Sequence, residues 1–270
     1  MKTNKLLSFI ILLVVCSSLF AQEQQPKTVK RIKISDFILG VAFAPSLKDF
    51  NGTLEDFKAV APESNFLKKD FTGYSLPIGT LSAPGNTLFS GAIGILISDH
   101  KKTRYKINPL LRFGLTYFRS QNFIYLISGF EQDPFGNTNK YDYWMIYNSD
   151  QLRFDGSLIF RTNPQARISV FVGAGVATSF SFNAWTQISE TIYYPGYPNG
   201  TINTTYEITK SKNIHGFSVA VPIGVDIRIF KNCHLIIEYK PSYNALVIPE
   251  SRTIKSTSHQ FLLGLKVAFK

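Results

Sequence analysis

Hydrophobic and polar residues alternate along most of the chain, in segments of about ten residues or slightly more that are separated by turn-rich stretches. In the clearest segment, 217–229, every odd-numbered residue is apolar, while the even-numbered ones are small, charged or proline. Such a period of two indicates β-strands. Similar alternation occurs in 105–117, 152–160, 167–182 and 261–269, and more weakly in 36–44, 89–97 and 235–243. The pattern predicts about eight strands, an even number, as single-chain transmembrane barrels have.

The connections between these segments alternate in length. Long connections cover 46–86, 120–150 and 184–214, with a shorter one at 247–257; the short ones are 99–104, 162–166 and 230–233. Long extracellular loops and short periplasmic turns alternate in this way in outer-membrane barrels. We therefore predict an all-β fold, an eight-stranded antiparallel transmembrane β-barrel with both termini on the periplasmic side.

The two faces of each predicted strand differ in a way that favours a membrane. One face carries Val, Ile, Leu and Phe, and the other carries Gly, Ala, Ser and charged residues. A small barrel has room inside only for side chains, so the small and charged face is expected to point inward and the apolar face toward lipid. A soluble lipocalin-like carrier, with polar residues outside, is the alternative fold.

Charged residues recur on the predicted inward face. Unpaired charges in a confined interior are costly, so these residues are expected to pair with one another across the lumen. Such a network either packs the barrel or lines a conduction path. Its predicted members are Asp36, Arg112, Arg153, Asp155, Asp226, Arg228, Glu238, Lys240 and Lys266.

The N-terminus has the pattern of a cleaved signal peptide. Lys2 and Lys5 precede an apolar run, and small residues lead to a cleavage site after Ala21. The predicted organisation is a signal peptide at 1–21, a periplasmic tail at 22–33 and a transmembrane barrel at 34–270. The predicted location is the outer membrane of the cell.

The net charge of +11 is concentrated near the predicted periplasmic rim, where Arg161 is one of the expected members. A basic rim fits anionic lipid headgroups or an acidic periplasmic partner. Outer-membrane lipid is the expected environment, and nucleic acid is not expected as a partner in that compartment.

We find no pattern that predicts catalysis, a metal site or a cofactor. His100 and His234 fall in predicted turns, whereas His215 and His259 fall near the outer ends of strands, and no histidine has the spacing of a triad or a metal site. The acidic pair at 55–56 is expected to be solvated loop charge. We therefore expect no catalytic, cofactor-binding or metal-binding residues and a protein that is not an enzyme.

The predicted outer loops are rich in tyrosine and tryptophan. The alternating run that begins at residue 186 turns at the Asn199–Gly200 dipeptide and returns to residue 209, which predicts a hairpin protruding beyond the membrane. Because such aromatic residues anchor many interfaces, the loops are candidates for partner binding. The candidate residues are Tyr143, Trp144, Tyr193, Tyr194 and Tyr197.

The segment 260–270 resembles the C-terminal assembly signal of outer-membrane barrels, through Gly264, Val267 and Phe269. This resemblance implies insertion by the outer-membrane barrel machinery. Leu262 departs from the signal because a polar residue is common there, and Lys270 departs because it follows the aromatic residue.

Residues 33–270 resemble, in architecture, the PorT-type and OmpA/OmpX-like small outer-membrane barrels, and the PorT family implies a part in secretion across the outer membrane. Three functions are left open. The first is a non-enzymatic structural, adhesive or partner-binding barrel, with an envelope or secretion complex as its setting. The second is a small-solute channel, and the third is a lipid-modifying barrel enzyme.

Overall fold

The computed structural model describes residues 33–44, 52–76, 86–96, 108–162, 166–194 and 201–269. The predicted signal peptide, nearly all of the predicted tail, the short turn at 99–104 and Tyr197 lie outside the described residues. Within these ranges, no helix is long and apolar enough to cross a membrane.

The described chain is almost entirely β-structure. One short α-helix, α1, covers Leu54–Val60, and a single 3₁₀ turn covers Phe66–Lys68. The strands are β1 (Lys33–Ala44), β2 (Asn86–Leu96), β3 (Asn108–Gln132), β4 (Thr138–Arg161), β5 (Ile168–Tyr194), β6 (Thr201–Lys210), β7 (His215–Ala220), β8 (Ile223–Arg228), β9 (Cys233–Val247) and β10 (Thr253–Ala268).

The strands form a closed antiparallel ring. Strands β1 to β5 are neighbours in sequence order, β9 pairs with β10, and β10 pairs with β1 to close the ring. Both β7 and β8 pair with β5 on one side and β9 on the other, so together they occupy one position in the ring. The ring therefore has eight positions, and the predicted eight-stranded antiparallel fold is confirmed.

The segment predicted as one strand over 217–229 is two strands. Pro222 stands between β7 and β8, and a proline has no N–H to donate to a sheet ladder. At this break the Val221 N–H donates to the carbonyl of Pro241 at 3.0 Å, and Gly173 donates to the carbonyl of Pro222 at 2.8 Å. The wall stays continuous, but the ladder is interrupted.

Three strands are much longer than the sequence predicts. β3, β4 and β5 have 25, 24 and 27 residues, so most of the predicted loop at 120–150 is strand, with a tight turn at 133–137. The hairpin of β5 and β6 is confirmed, because the two strands pair from Trp185↔Lys210 to Tyr194↔Thr201. These strands extend one side of the wall beyond the ring; this end is called the cap end, and the opposite end the turn end.

The ring is apolar outside and polar inside. Large hydrophobic residues on the outward face are exposed, among them Phe89 at 62%, Val176 at 64% and Leu263 at 57%. Charged residues on the inward face, such as Asp36 at 1% and Lys266 at 3%, are buried. This orientation is the reverse of a soluble lipocalin-like carrier and agrees with the predicted membrane barrel.

The inward face is less uniformly polar than predicted. A compact apolar cluster lies within the ring and consists of Ala42, Leu110, Ile159, Phe171, Ile236 and Leu262. Leu262, which departs from the assembly-signal pattern, is 9% exposed and packs in this cluster. The unusual apolar residue at this position therefore fills the barrel interior.

On β3 and β5, the inward face changes residue parity where the strand leaves the ring. On β5, even-numbered residues such as Val176 and Phe180 are exposed, but beyond residue 183 the even-numbered Ala184 and Ile188 are buried. The pairing of β4 with β5 is irregular at this point, and Asn183 has a positive φ of 51°. β3 has a similar irregularity between Gln121 and Phe123. Each bulge inserts an extra residue into its strand, so the side chains beyond it point to the opposite face from those before it.

Candidate functional site: the closed lumen and its cap

Four ionisable residues surround Asp226 near the turn end. The carboxylate of Asp226 is paired with Lys266, and its Oδ1 lies 2.6 Å from Nδ1 of His234. Nη1 of Arg161 lies 3.9 Å from Asp226 and 3.9 Å from Asp36. All five side chains are buried, so two carboxylates share the neighbouring basic groups in a confined space.

A second set of buried pairs lies among the central strands. Arg112 is paired with Glu238, and its guanidinium lies 5.1 Å from the ring centroid of Phe171. Nζ of Lys240 lies 3.2 Å from Oδ1 of Asp155. The structure thus brings predicted lumen residues together as charge pairs.

Two other predicted lumen residues have different surroundings. Nη2 of Arg153 donates to Oγ of Ser218 at 2.9 Å. Arg228, at the end of β8, is paired in register with His234 and is half-buried.

Two members of this network lie in different surroundings from those that the sequence predicts. Arg161 was predicted at the periplasmic rim and His234 in a turn, but they are 8% and 6% exposed within the lumen. Both residues lie at strand ends, Arg161 as the last residue of β4 and His234 as the second of β9. The sequence does contain a sign of this position for Arg161, because Arg161 shares the odd numbering of the inward-facing Arg153 and Asp155 on the same strand.

Glycines make room for two of the carboxylates. A Cβ on Gly94 would collide with the carboxylate of Asp36, and a Cβ on Gly114 would collide with that of Asp155. Each carboxylate lies over a neighbouring strand at a position without a side chain. This close approach lets charged groups fit inside a ring that has space only for side chains.

Little free space remains around the charged clusters. The cavity lined by Asp36, Arg112, Arg161, Asp226 and Lys266, together with apolar neighbours, has a volume of about 10 Å³. This is about the space of one water-sized probe. Around this cavity, the charged residues are packed against each other rather than arranged around a passage.

The cap is formed by residues 52–76, which belong to the long connection between β1 and β2. Helix α1 starts at a capping box, in which the side chain of Thr53 accepts from the N–H of Asp56 and the Asp56 side chain accepts from the N–H of Thr53. The sequence does not predict this helix, because seven residues give too short a periodic pattern.

The cap packs into the concave side of the extended strands. Phe57 and Val60 of α1 are fully buried in an apolar cluster with Phe123, Met145 and other residues of the long strands. The ring centroids of Phe57 and Phe123 are 4.9 Å apart in an edge-to-face arrangement. Further members of the cluster include Leu67, Phe71, Tyr143, Tyr147, Ile188, Ile214, Leu246 and Ile254.

Asp56 attaches α1 to the turn between β9 and β10. Its carboxylate is buried and accepts from Arg252 at 2.9 Å and from Oγ of Ser251 at 2.7 Å. Burial alone would raise the pKa of Asp56, but the hydrogen bonds from Arg252, Ser251 and Thr53 outweigh it and lower the pKa. Of the two acids predicted to be solvated, Asp56 is therefore a buried anchor, whereas Glu55 is exposed.

Glu207 holds the next part of the cap against β6. Its carboxylate accepts from Oγ of Ser64 at 2.7 Å and from the backbone N–H groups of Asn65 and Phe66 at 3.0 and 3.1 Å. Burial would raise the pKa of Glu207, but these hydrogen bonds lower it. The acid of β6 is thus turned toward the cap and away from the outer face of the sheet.

Lys69 lies between two glutamates and a tyrosine. Its Nζ lies 3.1 Å from Glu131, 3.6 Å from Glu190 and 2.7 Å from the hydroxyl of Tyr143. Burial, followed by the hydrogen bond that Tyr143 donates to Glu190, raises the pKa of Tyr143. The tyrosine therefore stays protonated and bridges the lysine and the acid.

The candidate interface residues are placed differently from one another. Tyr143 is fully buried in the cap cluster, so its prediction as a surface residue is wrong. Trp144, its neighbour, is 39% exposed on the outer face. Tyr193 and Tyr194 are half-buried near the end of β5, and Tyr197 lies outside the described residues. An interface role for Trp144, Tyr193 and Tyr194 stays a prediction.

The outer face of the extended sheet carries exposed hydrophobic residues that are not among the predicted interface candidates. On β6, Ile202, Tyr206 and Ile208 are 60%, 70% and 61% exposed. Ser189 of β5 pairs with both Trp144 and Tyr206, so these side chains lie in one row across three strands. Ile202, Thr204, Tyr206 and Ile208 occupy every second position of β6, and this spacing in the sequence indicates that they share one face of the strand.

The residues of the predicted assembly signal lie on β10. Gly264 pairs with Gly40 of β1, and Val267 is 46% exposed on the outward face. The backbone N–H of Phe269, just beyond β10, donates to the carbonyl of Ser35 at 2.8 Å. Recognition of these residues by the insertion machinery stays a prediction.

The other two described histidines, His215 and His259, are exposed. His259 is hydrogen bonded through Nδ1 to the hydroxyl of Tyr239 at 2.7 Å, on the outward face. His215 lies edge-on to Phe180 at the start of β7. Among the described residues, no group of three or more His, Cys, Asp and Glu side chains is placed to hold a metal ion.

Comparisons with known proteins give similarity only at the level of structure. No family model matches the chain, and no curated protein matches its sequence. Neisserial surface protein A (NspA) is 13% identical with a TM-score of 0.32, and the match covers 87% of this chain and 97% of that one.

Two other solved structures are similar to the same extent. The outer membrane protein OprG from Pseudomonas aeruginosa is 10% identical with a TM-score of 0.39, covering 88% of this chain and 97% of that one. Ail, the attachment invasion locus protein of Yersinia pestis, is 9% identical with a TM-score of 0.34, covering 88% and 100%. Likeness of this degree carries no argument about activity, and PorT-type membership stays a prediction.

Proposed function

We propose that this protein is a non-enzymatic outer-membrane β-barrel with a closed lumen, which binds a partner through the sheet that extends beyond its cap end. The observation that carries the proposal is the inverted orientation of the ring. Large apolar side chains are exposed outside, and charged side chains are paired inside.

A bilayer is the solvent that suits this orientation. Hydrocarbon has no hydrogen-bonding groups, so a spanning sheet must satisfy its backbone within the protein, as the closed ring does. Exposed residues such as Leu263 and Phe113 would be unfavourable in water over so large a band. In this arrangement the cap end faces the outside of the cell, and the insertion machinery and outer-membrane lipid are the expected partners in assembly.

The packed interior supports a structural role over transport. The charge pairs and the apolar cluster around Phe171 fill the central part of the ring, and residues 52–76 pack at the cap end. A small-solute channel would require these groups to move. The extended sheet, by contrast, is already exposed and carries hydrophobic side chains on its outer face.

Mobility on a denaturing gel tests the proposal. The outer-membrane fraction should contain a band that migrates faster unboiled than boiled, because a closed barrel resists detergent until it is heated. Protein found in the soluble periplasm without this shift would overturn the membrane assignment. Steady single-channel conductance of purified protein in planar bilayers would overturn the closed lumen and favour the channel.

The remaining functions stay predictions from sequence. A part in a secretion complex rests on the PorT-type resemblance alone, and co-purification of secretion components with the barrel would support it. A lipid-modifying activity would change the lipid A or phospholipid mass profile between a deletion strain and its parent. We expect no such change.

A further inference from the structure

β6 is an edge strand. It pairs with β5 along its full length, from Tyr194↔Thr201 to Trp185↔Lys210, and it lies off the closed ring. On its other side, no described segment forms a ladder with it. The N–H and C=O groups of alternate residues along this ten-residue strand are thus presented at the side of the extended sheet, and such an edge is suited to pairing with another strand.

β6 lacks two of the usual protections of an edge strand. It contains no proline, and its pairing with β5 has no bulge. Its acid, Glu207, is turned inward and bonded to the cap. Its lysine, Lys210, stands at the final position.

The sequence of β6 is complementary to itself. Residues opposite each other in an antiparallel pair lie on the same face, so a symmetric pair must keep the exposed Ile202, Tyr206 and Ile208 together. A two-fold axis through Thr205 does this. It places Ile202 opposite Ile208 and Thr204 opposite Tyr206, without bringing like charges together.

We propose that β6 pairs antiparallel with β6 of a second copy of this chain, about a two-fold axis through Thr205, to form one sheet across two molecules. The proposal rests on the proposed function and names the partner. Backbone hydrogen bonds supply the attraction, and the rows of Ile and Tyr side chains set the register.

The direction of β6 determines where the second barrel lies. β5 leaves the ring and β6 returns toward it, so an antiparallel partner strand runs away from the first ring. The two rings therefore lie at opposite ends of the shared sheet. Two such barrels belong to facing membranes, and the contact joins one cell to another.

A symmetric disulfide tests both the register and the direction. Thr205→Cys, in a background in which the free Cys233 is replaced by serine, brings two thiols face to face in the proposed dimer. Two cell populations carry this variant with different epitope tags and are mixed under mild oxidation. We expect disulfide dimers that contain both tags.

Asn203→Cys in the same background is the matched control. Asn203 is also exposed on β6, but in the proposed register it lies opposite Glu207 and not its own copy. We expect little cross-linking of this variant. Equal cross-linking at both positions would overturn the register, and dimers formed within one population but never between two would overturn the facing arrangement.

A charge on the edge strand tests the contact without a cross-link. Ile208→Lys places a lysine on the exposed face of β6, and we expect self-association of the purified barrel in detergent to weaken about tenfold, with less clumping of expressing cells. Gln187→Lys is the control, because Gln187 pairs with Ile208 on the same face but lies on the interior strand β5. Equal effects of the two substitutions would contradict edge pairing.

Gel mobility separates failure of this inference from failure of the proposed function. Every variant is first shown to have the shift between unboiled and boiled samples in the outer-membrane fraction. A monomeric, heat-modifiable barrel that forms no mixed-tag dimer overturns β6 pairing and leaves the outer-membrane assignment in place. Absence of the shift in the parent protein overturns the assignment itself.

Discussion

The ring and the cap are built from the same strands in opposite ways. In the ring, Arg112 and Glu238 are buried while Phe113 is 48% exposed. In the cap, Phe57 and Tyr143 are fully buried, and the charged Lys69 lies nearer the surface. β4 runs through both regions, so the same strand has an apolar outward face in the ring and an apolar inward face in the cap. The alternation of residues defines two faces, but the surroundings decide which face is apolar.

The boundary between the two regions is marked by bulges and one polar group. Near this boundary, Asp150 accepts from Arg119 at 2.8 Å and from Asn183 at 3.0 Å, and Asn183 is the residue with positive φ. β3 and β5 change the parity of their inward face at this level, whereas β4 buries odd-numbered residues in both regions. A bulge at such a point lets an aromatic core continue from a polar one without ending the sheet.

Removal of one partner from a buried charge pair should have the largest effect. Glu238→Leu leaves Arg112 without its carboxylate in the lumen, at a cost of about 3–5 kcal/mol, and assembly of the heat-modifiable form should largely fail. Arg112→Met combined with Glu238→Leu should restore most of the folded band. A single variant as stable as the parent in urea would show that this pair is not isolated from water.

Removal of an aromatic residue from the cap should be large but local. Phe57→Ala deletes a fully buried ring that contacts Phe123, at a cost of about 3–5 kcal/mol to the cap. Hydrogen exchange over 52–76 should speed up while the ring strands stay protected and the gel shift is unchanged. Loss of the gel shift would show that the cap and the ring fold as one unit, and it would contradict the view that they are two separately stabilised regions. Phe135→Ala, at a position that is 90% exposed, is the control.

Acid should release the cap before it affects the ring. The pKa of Asp56 is lowered in the folded state, so its stabilising contribution is present above its unfolded pKa and is lost as pH falls through the folded pKa. Protease cleavage within 52–76 should therefore increase below about pH 4. Asp56→Asn should weaken the cap at neutral pH, by about 1.5–3 kcal/mol, and flatten this pH dependence. An unchanged acid profile in the variant would exclude Asp56 as the group responsible.

The smallest expected effect is at the boundary. Asn183→Ala removes the hydrogen bond to Asp150 and places an alanine at positive φ, at a cost of about 1 kcal/mol. The urea midpoint of the barrel in detergent micelles should fall slightly. The urea midpoint of Asn183→Gly should fall less, because glycine tolerates a positive φ. Equal losses in both variants would assign the effect to the hydrogen bond alone.

The ring could be predicted from sequence because its evidence repeats in every strand. Faces such as the odd-numbered residues of 217–229 report the local geometry directly, and the inward Arg112, Asp155 and Lys240 follow from the same parity. The pairing partners could not be predicted, since they depend on the stagger of strands around the ring. Arg161 and His234 were misplaced because a strand end cannot be fixed to within two residues by alternation.

The cap could not be predicted because its contacts are distant in sequence. Asp56 meets Arg252 and Ser251, almost 200 positions later, and nothing local to Asp56 indicates burial. Tyr143 and Trp144 look equivalent in the sequence, yet one is fully buried and the other is exposed. The bulges near 122 and 183 hide the change of parity from any count of alternating residues.

The seam between β1 and β10 determines the order in which the fold can be completed. These two strands are the first and the last, and their eight paired positions run from Asp36↔Ala268 to Phe43↔Phe261. Contacts of such sequence separation carry the highest loop-closure entropy and form slowly. Until they form, β1 and β10 each present an open edge, which is unfavourable in hydrocarbon. A chain that has made every hairpin but not this seam therefore has two unpaired strand edges, and it is expected to be prone to aggregation until the seam closes.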